Sequence, residues 1–134
     1  MSEIKIYVEG STGRITLTRP EALNALSYAM CEAMEEALLA WQDDAAITQV
    51  IIDAQGERAF CAGGDIAKLY EYGLQGDFDY ARKFWKDEYR LNALIANYPK
   101  PYIAFLHGFV MGGGVGIACH GSHRIVCETV KIAM

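Results

Sequence analysis

Between residues 28 and 42 the apolar positions Met30, Ala33, Met34, Ala37, Leu38 and Trp41 recur at steps of three and four. That period draws one stripe along a helix, and Ser27 stands in front of it as an N-cap. A helix from Ser27 to about Gln42 is therefore predicted, with its stripe turned to a core. Upstream the period changes to two. Ile4–Val8 and Arg14–Thr18 alternate around Gly10–Gly13 and predict a hairpin. Downstream, Gln49–Ala54 (QVIIDA) predicts a short buried strand, and QGERAFCAGG a loop. DIAKLYEY predicts a short helix from Asp65, GLQGD a break, and a long helix follows over roughly Asp79–Tyr98, ended by Pro99 and Pro101. Tyr102–Leu106 reads as an apolar strand running into a glycine cluster. Gly114–His120 reads as a helix stopped by Gly121, and a strand starts at Arg124.

Short apolar strands alternating with helices give an α/β class with covered sheets. No linker, repeat or low-complexity tract divides the chain, so its 134 residues read as one domain or part of one. A 52% hydrophobic content supplies a real core. A net charge of −5 argues against a nucleic-acid binder. The start MSEIKIYVEG lacks an apolar signal core and no segment reaches spanning length, so a cytoplasmic protein off the membrane is expected. Four cysteines without a CxxC predict free thiols.

The chemistry-bearing stretches are FCAGGD (60–65) and MGGGVG (111–116). Each opens a helix, where bare backbone N–H groups can face a ligand and the helix terminus adds partial positive charge. Two such turns meeting at one point would aim two donors at one oxygen. Tight packing at the turns is the alternative for either stretch alone. The dinucleotide pattern fails at Ile117, and no Gly-Lys-Ser/Thr tripeptide exists for a phosphate loop. Glu88 falls in line with Phe84, Leu91, Ile95 and Tyr98 on the long helix, with no cation at helical spacing. It is a candidate site carboxylate, unless that edge of the stripe is wet. Asp87, between Lys83 and Arg90, reads as an ordinary solvated pair. Cys119, His120, His123 and Cys127 match no standard zinc spacing, and no metal is expected. Cys61 reads as a small buried residue rather than a nucleophile, and His107 as a strand-end packing residue. Met30, Met34, Trp41 and Trp85 are assigned to the core.

Taken together, RITLTRPEALNALS, AFCAGGDI and KPYIAFLHGFVMGGGVGIACHGSHRIVCE resemble the crotonase (enoyl-CoA hydratase/isomerase) superfamily along essentially the whole chain. FCAGGDI, FWKDEYRLN and GGGVGIACHG are most similar to its 3-hydroxyisobutyryl-CoA hydrolase branch. The resemblance implies a ββα spiral, here the N-terminal part of one acyl-CoA-binding domain (1–134), ending after the strand that follows the glycine-rich helix. It implies hydrolysis of a 3-hydroxyacyl-CoA thioester, in valine catabolism, with the N–H groups of Gly64 and Gly113 as oxyanion hole. Glu88 then contacts substrate, and Ala25, Leu26, Ala62, Asp65 and Ile66 line the CoA pocket. No cofactor is implied beyond the CoA of the substrate, and a homo-oligomer is possible. A hydratase or isomerase, or a non-catalytic acyl-CoA-binding remnant, is the alternative. Typical hydratases carry a catalytic glutamate where this chain has Gly116, which favours the hydrolase. The family's downstream Pro-Glu motif is not among these residues, so weak or absent turnover is expected of the chain alone.

Overall fold

In the computed structural model, which describes residues 2–134, the chain builds two sheets at once. Strand β1 (Ile4–Glu9) turns through Gly10 and Ser11 into β2 (Thr12–Leu17), an antiparallel pair in which Glu9 faces Thr12. The turn is thus two residues rather than four, and Gly13 already lies in β2 against the ring of Trp41. Helix α1 (Tyr28–Gln42) starts where expected: the Ser27 hydroxyl accepts from the Met30 N–H at 3.2 Å. Its stripe of Met30, Met34, Ala37, Leu38 and Trp41 is buried.

From here the chain repeats one unit. Strand β3 (Gln49–Ala54) pairs in parallel with β2, and β4 (Ala59–Cys61) then crosses to a second sheet. Helices α2 (Ile66–Leu74) and α3 (Phe78–Ala96) return the chain. Strand β5 (Tyr102–Phe105) joins β3, β6 (Phe109–Met111) joins β4, and α4 (Gly113–Cys119) follows. Strands β7 (His123–Ile125) and β8 (Lys131–Ala133) add one strand to each sheet. The sheet orders are β1-β2-β3-β5-β7 and β4-β6-β8, which is a ββα spiral.

The sequence pattern missed β4 and β6, and the chain runs past β7 into β8 rather than ending at β7. Gly121 is no left-handed helix stop. Its missing side chain leaves room for the ring of Tyr102, whose hydroxyl donates to the Ile117 carbonyl at 2.6 Å. No helix among the described residues is long and apolar enough to cross a membrane.

Candidate active site

The two glycine turns are built alike and meet. Gly63 (φ +135°) precedes Gly64, and Gly112 (φ +53°) precedes Gly113. In each turn a positive φ that only glycine adopts readily sets the path of the next residue. A Cβ on Gly112 would touch the Gly63 Cα at 3.7 Å, and one on Gly113 would lie 3.3 Å from the Gly64 nitrogen. The N–H groups of Gly64 and Gly113 have no hydrogen-bond partner among the described residues. Gly114 serves packing instead, since a Cβ there would run into the Cys61 carbonyl.

The first turn is pinned from behind. The Leu26 N–H donates to the Gly63 carbonyl at 2.8 Å and the Asp65 N–H to the Leu26 carbonyl at 2.9 Å, so Gly64 is fixed between them. Asp65, N-cap residue of α2, is buried and holds Arg19 at 3.0 Å. Asn24, which sequence reasoning passed over, ties this loop to the fold. Its amide donates to the Gln55 and Ala59 carbonyls at 2.9 and 3.0 Å, and its oxygen accepts the Arg19 N–H at 2.8 Å. Nothing in the local pattern announced it except its place in LNALS.

A cavity of about 470 Å³ opens in front of both turns, within the usual range for small-molecule sites. Gly64, Gly113, Gly116, Glu88, Asn92 and Ile66 are among the residues that line it. Of the other predicted binding positions, Ala25, Leu26, Ala62 and Asp65 stand behind the turn rather than on the cavity wall. Glu88 is 5% exposed and faces the glycines: a Cβ on Gly113 would come within 2.6 Å of its Oε1. A wet edge is thereby excluded. Burial pushes its carboxyl up from the ordinary glutamate range, with no neighbouring cation or hydrogen bond among the described residues to hold it down.

Two assignments change. Trp85 is not core but 45% exposed at the cavity. Asp87 is buried, not solvated: the Tyr28 hydroxyl donates to it and, with Arg90 and Lys83, holds its carboxyl below the usual range. Arg90 also clamps Glu35 of α1 at 2.8 and 2.9 Å, which fixes the face that α3 turns to the cavity. Cys61 is fully buried, its thiol pushed up to about 11, which leaves it inert, as expected of a packing residue. His107 does not line the cavity, and no group of three or more metal-ligating side chains exists among the described residues.

Paired strands feeding two sheets, and paired glycine bends over a buried carboxyl, define a crotonase-type fold. The chain overlays an enoyl-CoA hydratase from Rhodobacter sphaeroides with TM-score 0.97 and 51% identity, covering 99% of this chain and 40% of that one. A carnitinyl-CoA dehydratase from Mycobacterium thermoresistibile gives 0.96 and 46%, covering 100% and 39%. The chain belongs to the enoyl-CoA hydratase/isomerase family, whose model matches residues 12–134. Among curated relatives, the mitochondrial 3-hydroxyisobutyryl-CoA hydrolase of Danio rerio is 44% identical over 99% of this chain and 35% of that protein. The Gallus gallus protein of the same name is 40% identical over 99% and 34%. The chain thus spans about a third of the length of the curated relatives it matches.

Proposed function

We propose that this chain forms the acyl-binding and carbonyl-polarising part of an acyl-CoA thioester hydrolase, with 3-hydroxyisobutyryl-CoA as substrate. The observation that carries the reading is the meeting of two unpartnered glycine amides beside the buried Glu88. The thioester oxygen accepts from the N–H groups of Gly64 and Gly113. As water adds to the carbonyl carbon, negative charge grows on that oxygen and the two amides bind it more strongly than they bound the neutral carbonyl. Collapse of the adduct breaks the C–S bond, and the proton given up by the added water ends on the departing thiolate, leaving the 3-hydroxy acid and free CoA thiol. Glu88, with its raised proton affinity, hydrogen-bonds the substrate or orders the water. CoA enters as part of the substrate, and the reaction needs no further cofactor.

Two features support hydrolysis: the names of the curated relatives, and Gly116, which presents no carboxylate where typical hydratases have one. The likeness to a solved enoyl-CoA hydratase supports the second reading, enoyl-CoA hydration. Incubating the intact protein with 3-hydroxyisobutyryl-CoA and titrating thiols separates the two. Hydrolysis releases free CoA thiol. An altered acyl chain still esterified to CoA contradicts the proposal.

A further inference from the structure

One polar group on the cavity wall has no place in the mechanism above. Asn92 stands one helical turn beyond Glu88 on α3 and lines the same cavity. Its Oδ1 is buried without a hydrogen-bond partner, and its Nδ2 donates to nothing among the described residues. A buried amide oxygen left unpaired destabilises a fold unless a ligand completes it.

The chain also makes room for this amide. A Cβ on Gly116 would lie 2.6 Å from Asn92 Nδ2 and 2.8 Å from Oδ1, so any larger residue at 116 would displace it. Gly116 sits inside α4, where glycine weakens a helix relative to alanine. Two local sacrifices, an unpaired amide and a helix-interior glycine, therefore coincide at one point of the cavity. Both are explained if a polar ligand atom docks there. The neighbours define its position: Glu88 on the same face, and the Gly113 bend at which the thioester carbonyl is proposed to lie. What reaches Asn92 is then the acyl group, close to its carbonyl, and not the nucleotide end of CoA.

We propose that Asn92 is a specificity-determining residue whose side-chain oxygen accepts a hydrogen bond from a hydroxyl on the acyl group. This rests on the thioester-binding reading and deepens it by naming the residue that separates hydroxylated from plain acyl chains. A hydroxyl suits the position because it donates and accepts, and so satisfies either edge of a carboxamide.

The test measures binding, so it does not depend on turnover. Calorimetry on the intact protein compares two non-hydrolysable analogues, with a methylene in place of the thioester sulfur: that of 3-hydroxyisobutyryl-CoA and that of isobutyryl-CoA, which lacks the hydroxyl. Wild type, Asn92→Leu and Asn92→Ala are each titrated with both. Wild type should prefer the hydroxylated ligand by about tenfold or more, because a buried polar site rejects a ligand that leaves it unpaired. In both variants that preference collapses toward one while the ligand without the hydroxyl binds as before or better. Asn92→Leu, nearly isosteric and without the unpaired amide, melts no lower than wild type. Equal weakening of both ligands, or an unchanged preference, overturns the role of Asn92 alone. Failure of both ligands to bind wild type overturns the thioester reading and this inference with it.

Discussion

Burial gives Glu88 a higher affinity for its proton in the folded chain than in the unfolded one. Its contribution to stability is therefore fully present below the ordinary glutamate value of 4.5 and is lost as pH rises through the raised folded value. Glu88→Gln removes that dependence. Thermal melts should coincide for the two proteins near about pH 4, and the variant should melt a few degrees higher at about pH 8. A second contrast lies in the glycines. A methyl on Gly64 meets only the Phe84 ring at 3.7 Å, whereas one on Gly113 crowds both Glu88 and the Gly64 nitrogen. Gly113→Ala should lower kcat/KM for thioester hydrolysis by about a hundredfold, the scale of losing one oxyanion donor, with Gly64→Ala affected far less. Steady-state kinetics on the two variants checks this. At this scale the sequence was informative where a residue broke a pattern, as Glu88 breaks an apolar stripe. It misled where a residue fitted one: Trp85 is as apolar as any core side chain, yet it lies on the open side of α3, and only the packing of α2, α3 and α4 around the cavity shows that.

Whole elements were legible in proportion to their length. The fifteen residues of α1 hold four turns of stripe and were placed within a residue. Strands β4 and β6 are three residues each, too short for a period of two to register. They matter because each delivers its glycine turn to the cavity. The loop behind them depends on Asn24, which has φ +54° and whose three hydrogen bonds hold it against β4. Asn24→Ala takes the partner from the buried Ala59 carbonyl, from the Gln55 carbonyl and from the Arg19 N–H. It should cost about 3 kcal/mol of stability by denaturant titration.

The meeting of the two glycine turns belongs to the scale of the whole molecule. About fifty residues separate Gly64 from Gly113, and no local pattern states that their bends touch. Only the spiral, by laying β6 beside β4, brings them together. A crystal structure of the intact protein with a non-hydrolysable acyl-CoA analogue tests that convergence most directly. The acyl carbonyl oxygen should lie within about 3 Å of both the Gly64 and Gly113 nitrogens. An oxygen beyond hydrogen-bond reach of either one contradicts it.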